Sequence, residues 1–247
     1  MRREEQAIER YNRDLDEMGG YIYTAKKVRK SMDLFNKRAT MAVANLIDFK
    51  GKSVIDVGCG DGTYSIELVE KLGAESVVGV EPSNACELAQ EKFGHYAPSV
   101  RFVRGSAYEL QYNDFEFDVA MMRGVLHHLD DPKSGLAEMF RVAKKVFLLE
   151  PNGYNAVIKF LEKVSPYHKT HRERSFAPKK IRHMARSLGA EAVRESYSSL
   201  VPLLCPDRLA TFLDWLSPRW EKLLFLPKIS CGLYCVLFQL YERKTMK

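Results

Sequence analysis

The segment V-I-D-V-G-C-G-D-G, Val54 to Gly62, constrains this chain more than any other. A short β-branched run leads into glycines at 58, 60 and 62, which let the backbone turn tightly and approach a ligand where side chains would collide. A helical pattern follows from Thr63, so its first N–H groups face the same turn and favour an electron-rich ligand group. Three alternate glycines would weaken that helix start without some compensation. The turn therefore reads as the floor of a binding site.

From Lys52 to Glu150 short apolar runs alternate with amphipathic stretches, the mark of βαβ units building a parallel sheet. Strands are expected at Ser53 to Val57, Ser76 to Val80, Val100 to Val103, Phe117 to Met122 and Lys145 to Glu150. Helices are expected at Thr63 to Leu72, Ser83 to Phe93, briefly near Ala107, and at Pro132 to Ala143, where Pro132 suits a first turn. Beyond Glu150 an apolar helical run, Tyr154 to Val164, sits in a basic cap. Pro178 then opens a helix that Gly189 stops. A sixth strand follows at Ala192 to Ser199, then a helix at Pro206 to Leu216, and a last strand from about Ser230 to Tyr241. The expected architecture is one α/β domain with a seven-stranded mixed sheet, its last strand antiparallel, and helices on both faces. Residues 1–47 form a helical cap broken at Gly19-Gly20, 48–150 the ligand-binding core, and 151–177 and 201–228 insertions on the substrate side.

The 38 Lys and Arg against 32 Asp and Glu leave a net charge of +6, which favours anionic partners without naming one. The five cysteines show no C-x-x-C pair and no zinc-finger histidine spacing, so neither a metal site nor a disulfide framework is expected. A reducing cytoplasm suits them, and the polar start M-R-R-E-E-Q lacks the apolar core of a secretory signal. The apolar stretch Leu223 to Leu240 approaches the roughly 20 residues of a membrane span, but Pro227, Lys228 and Gly232 interrupt it. It reads better as a buried strand; peripheral membrane contact stays open.

Glycine-rich turns also serve dinucleotides, but here the spacing is G-x-G-x-G rather than G-x-G-x-x-G, and Asp56 stands two residues before the first glycine. That carboxylate would repel a pyrophosphate and suits a ligand carrying an ammonium and a sulfonium. Over roughly residues 50 to 151 the chain resembles the class I, Rossmann-like S-adenosylmethionine-dependent methyltransferases, in particular the small-molecule type 11 group. The resemblance implies that Asp56, Gly58, Cys59 and Gly60 hold the methionine end of S-adenosylmethionine. It gives Glu81, in V-V-G-V-E-P and followed by Pro82, both ribose hydroxyls. Where the family usually reads G-D-A, this chain reads G-S-A, so Ser106 replaces an aspartate and backbone groups of Ser106 and Ala107 carry the adenine contact. The run F-D-V-A-M-M-R-G-V-L-H-H-L-D-D-P places Met122 and Arg123 along the site. S-adenosylhomocysteine would be the product, and no metal is implied.

His127 and His128 are the general-base candidates at this edge, since imidazole titrates near neutrality. The alternative is that one packs on the cofactor while the other bonds backbone. R-G-V-L at 123–126 stands where adenine-modifying members carry an N-P-P-Y-type motif, which argues against nucleic-acid bases as acceptors. Between Lys159 and Arg186 nine Lys or Arg face two acids, Glu162 and Glu173. This segment fits an anion-binding lid and equally a solvated helix face. Tyr154, His168, Arg172 and Arg174 are its acceptor-side candidates, with Tyr21, Tyr23 and Arg29 closing from the N-terminal side. The expected reaction is methyl transfer to an oxygen, carbon or nitrogen of a small molecule, with an anionic or lipid-linked metabolite in view. An RNA methyltransferase using the basic segment, and a non-catalytic binder of the cofactor, are the competing readings.

Overall fold

Seven strands form one sheet: β1 (Ser53–Val57), β2 (Ser76–Glu81), β3 (Val100–Arg104), β4 (Phe117–Arg123), β5 (Ala143–Pro151), β6 (Ala190–Ser198) and β7 (Leu233–Leu240). Their order across the sheet is β3-β2-β1-β4-β5-β7-β6. Strands β1 to β5 run parallel, while β7 is antiparallel to both β5 and β6. The computed structural model describes residues 3–18, 29–165, 174–203 and 205–241. The helices are α1 (Arg3–Met18), α2 (Lys30–Leu46), α3 (Thr63–Glu70), α4 (Ala85–Phe93), α5 (Pro132–Val142), α6 (Ala156–Val164), α7 (Pro178–Ser187), α8 (Asp207–Trp220) and the single turn α9 (Leu226–Ser230).

The central strands read as unbroken apolar runs because both sheet faces are covered. Successive side chains point to opposite faces. Ile55, Val78, Ala120, Leu148 and Phe238 therefore join one core with Leu136 and Met139 of α5 and Ile181 of α7. Their neighbours Val54, Val77, Val119, Phe147 and Leu237 join a second core with Val43 of α2, Leu68 of α3 and Ala89 of α4. The edge strand β6 is largely exposed and carries a bulge at Ala192 to Arg194, which discourages further strand pairing.

Apart from shifts of about two residues at element ends, the structure departs from the sequence reading in three places. No helix forms near Ala107; the Ser106 hydroxyl accepts the Tyr108 N–H and a Ser106–Glu109 bridge closes a turn instead. Ser230 belongs to the turn α9, where Pro227 presets the backbone, so β7 starts only at Leu233. Helix α8 runs past Leu216 to Trp220 with Pro218 inside it.

Pro218 has no N–H to give the Asp214 carbonyl, which would leave a helical acceptor without its donor. Arg38 of α2 fills the gap: its Nη2 donates to the Asp214 carbonyl, and its Nε meets Asp214 Oδ1 at 2.6 Å. One buried guanidinium thus repairs the helix and pins α8 to α2. Arg38→Met is expected to lower the unfolding free energy by about 2–3 kcal/mol, the cost of stranding a partly buried carboxylate. In a Pro218→Ala background, where residue 218 regains its own N–H, chemical denaturation should show a smaller loss; equal losses in both backgrounds would refute the repair.

Candidate functional site

A cleft opens at the carboxyl ends of β1, β2 and β4. Its floor is set by the turn after β1, where the N–H groups of Gly58 and Cys59 donate to the Val80 carbonyl at 2.7 and 3.2 Å. Gly58 has φ +77°, and a Cβ there would stand 2.5 Å from Val125 Cγ2, so both backbone and space demand glycine. Glu81 and Ser83 form one wall, Ala107 and Tyr108 another, and Val125 and His128 the exit of β4. Ile8 and Tyr11 of α1 close the mouth. The cleft is open on one side to solvent.

Glu81 is the buried carboxylate of this cleft, which Asp130 also lines from an exposed position. Its Oε2 accepts the Gly60 N–H at 3.0 Å, and its Oε1 accepts the N–H and hydroxyl of Ser83 at 3.0 and 2.5 Å. Burial pushes its pKa up, while the bonds from Ser83 and Gly60 pull it back. The carboxylate therefore ties the glycine turn to the end of β2.

Behind the turn, Asp56 accepts the Ser65 hydroxyl at 2.6 Å and is 2% exposed. Burial raises its pKa to about 6, against the opposing pull of Ser65 and Arg123. Arg123 turns away from the cleft: it donates to Thr40 Oγ1 at 3.1 Å and to the Asn36 carbonyl at 3.2 Å, and it lies 3.5 Å over the Tyr64 ring. Met122 packs in the core beneath.

The two histidines part company. His127 is buried, with Nδ1 2.7 Å from Glu150 Oε2. Glu150 also accepts the N–H groups of Val125, Leu126 and His127, so one carboxylate at the end of β5 gathers the whole β4 exit. His128 lines the cleft with Nδ1 2.8 Å from Tyr11 Oη.

Of the residues singled out in the sequence, Gly58, Glu81, Pro82, Ala107 and His128 line the cleft together. Gly60 reaches it through its N–H on Glu81, and Ser106 spends its hydroxyl on the Tyr108 turn. Cys59 points into the core, its Sγ against Gly79. Arg29 caps α2 in the open, Tyr154 is 37% exposed, and Arg174 sits 5.4 Å over Phe176. Tyr21, Tyr23, His168 and Arg172 lie outside the described residues. Sequence reasoning passed over Ile8, Tyr11 and Glu150. The first two belong to a helical stripe with Leu15, at i, i+3 and i+7, and Glu150 ends an apolar strand; both signals were present. Among the described residues no group of three or more His, Cys, Asp or Glu is placed to hold a metal ion.

Residues 54–146 match the family of methyltransferase domains. The strand order is that of the Rossmann-like methyltransferase fold. The matched segment is similar to S-adenosylmethionine-dependent methyltransferases of the type 11/25 group. The chain is 32% identical over 120 residues to demethylmenaquinone methyltransferase of Deinococcus radiodurans, covering 48% of this chain and 47% of that one. It is 32% identical over 127 residues to phthiotriol/phenolphthiotriol dimycocerosates methyltransferase of Mycobacterium tuberculosis, covering 51% and 42%. The chain thus spans less than half the length of either relative. The fold also matches magnesium protoporphyrin IX methyltransferase of Synechocystis, solved with bound SAH, at TM-score 0.69 and 16% identity, covering 96% of this chain and all of that one.

The raised pKa of Asp56 has a measurable consequence. The folded protein holds this proton to about pH 6 and the unfolded chain only to about 3.8, so the stability it contributes is full below 3.8 and lost as pH rises through 6. Relative to Asp56→Asn, the wild-type unfolding free energy should fall by about 3 kcal/mol between about pH 3.5 and 7. A pH-independent difference in urea titrations would contradict this.

Proposed function

We propose that the protein transfers a methyl group from S-adenosylmethionine to an oxygen, carbon or nitrogen of a small molecule, with an anionic or lipid-linked metabolite as the acceptor class. The observation that carries this reading is the buried Glu81 carboxylate standing in the cleft wall beside a turn that admits only glycine at position 58. A carboxylate in that place suits a vicinal diol. The Ser83 hydroxyl, unlike the two N–H donors, can rotate aside and release acceptor capacity on Oε1. Gly58 and the turn would take the amino-acid end of the donor, Glu81 the ribose, and Pro82, Gly105 and Ala107 the base.

When bound, the cofactor supplies an electrophilic methyl carbon on a sulfonium leaving group, a reaction that needs no metal. The chain's own part is positioning and exclusion of water. Ile8 and Tyr11 cover the mouth. In the tautomer whose Nδ1–H is donated to Tyr11 Oη, the lone pair lies on Nε2, and we assign to His128 the uptake of a proton from a hydroxyl acceptor. His127 holds the β4 exit in place through Glu150 rather than meeting the acceptor.

The two relatives are named for demethylmenaquinone and for phthiotriol/phenolphthiotriol dimycocerosates, which supports the lipid-linked side of that acceptor class. In the basic segment Lys159 bonds Glu162 and the Ser175 carbonyl, Arg182 bonds Glu195, and Lys180 and Arg174 lie over Phe176, while Lys163, Lys179 and Arg186 are exposed. The five cysteines are free thiols, which suits the cytoplasm.

Isothermal calorimetry should find donor binding that Glu81→Ala weakens by about tenfold or more, the loss of charge-assisted bonds. Incubating the protein with deuterium-labelled methyl donor and a metabolite extract should yield a labelled small molecule by mass spectrometry. Unchanged donor affinity in Glu81→Ala would overturn the ribose assignment, and donor binding without any labelled product would favour a non-catalytic role.

A further inference from the structure

Thirteen of the seventeen large hydrophobic side chains exposed on the described surface fall within two stretches, 154–164 and 209–229. Scattered apolar residues are ordinary on a surface, but a concentration of this kind marks an interaction site. Helix α6 has no buried residue, and Val157, Phe160, Leu161 and Val164 make an i, i+3, i+4, i+7 stripe that faces outward. Leu224 and Phe225, at the tip between α8 and α9, are 80% and 75% exposed. On α8, Phe212 and Trp215 stack in the open with centroids 6.0 Å apart.

These pieces form one surface. Asn155, which caps α6, donates to the carbonyls of Ser230 and Cys231 at 2.8 and 3.2 Å, and Asn152 donates to that of Lys228 at 3.0 Å. Trp220 at the end of α8 donates to Ser230 Oγ at 2.8 Å. The surface also stands at the cleft's edge of the sheet. Leu233, the first residue of β7, pairs with Pro151 at the end of β5 and with Ser198 at the end of β6, and α6, α8 and α9 adjoin those same ends.

The outward charges around it are basic but for Asp207. Lys163, Arg208, Arg219, Lys222 and Lys228 are exposed. Of the four acids in the two stretches and their flanks, Glu162 accepts from Ser175, Asp214 from Arg38, and Glu221 from Ser198 and Ser199, leaving Asp207 outward. Arg219 lies 5.0 Å over Trp215 and Lys228 5.7 Å over Phe225, so cations and aromatics are interleaved. An apolar tip ringed by cations is built to enter the boundary between headgroups and acyl chains while its bases meet lipid phosphates. A second copy seated face to face on the same patch would bring the two basic rims together and repel.

We propose that α6, the outer face of α8 and the Leu223–Ile229 tip form a docking surface for a bilayer containing anionic phospholipid, which turns the cleft's edge of the sheet toward the lipid. Docking needs neither methyl donor nor acceptor. The test is flotation of the full chain, without donor, on vesicles of phosphatidylcholine alone or with about a third phosphatidylglycerol. The chain should float with the anionic vesicles, and its partition coefficient should drop by about tenfold or more on neutral vesicles and in Leu224→Asp/Phe225→Asp. Lys222→Gln/Lys228→Gln should weaken anionic binding alone. Both doubles alter exposed side chains, and circular dichroism should show their unfolding temperatures unchanged. The proposal is overturned if wild type stays in solution with anionic vesicles, or if the aspartate double variant floats as wild type does. It is also overturned if ultracentrifugation finds a dimer that this variant dissociates while no vesicle is bound. Donor calorimetry, run separately, reads the methyl-transfer reading on its own.

Discussion

The end of β2 and the turn after β1 are held together by two acceptors in sequence, the Val80 carbonyl and the Glu81 carboxylate. Between them they take the N–H groups of Gly58, Cys59 and Gly60. Three backbone donors that a left-handed turn would otherwise bury without partners are satisfied by one neighbouring strand. The shape of the cleft follows from this. With the turn drawn against β2, Val125 fits over Gly58, and the β4 exit comes to rest where His128 faces the mouth.

Most of the fold was legible because the parallel strands must be apolar on both faces and their connecting helices on one. Those periods place Ser53–Val57 and the alternating cores almost to the residue. The errors arose where local chemistry outweighed period. The Ser106 hydroxyl captured a nearby N–H, and Pro227 turned the approach to β7. Helix α8 outlived its proline because the compensating donor, Arg38, lies 176 residues away in the chain, beyond any local pattern.

The site was legible where backbone geometry dictates residue type and obscure where long-range pairing does. Gly58 and Glu81 announce themselves through spacing. Arg123 sits at the right strand end, yet its guanidinium finds Thr40, the Asn36 carbonyl and the Tyr64 ring on the opposite face, and burial pulls its pKa down. Adjacent histidines with identical prospects in sequence diverge because one meets a strand-end carboxylate and the other a tyrosine from α1. Asp56, adjoining the turn, serves Ser65 and the buried charge of Arg123 rather than the open cleft.

Glu150 has a mechanical consequence. Four hydrogen bonds converge on a side chain that is 1% exposed, so the β4 exit and the last turn of β5 behave as a single rigid joint. Helix α6 starts at Ala156, only a short link beyond that joint, and Asn152 and Asn155 lash the link to the approach of β7. The apolar outer helix and the inner wall of the cleft are therefore anchored a few residues apart on one joint, with a buried carboxylate at its centre.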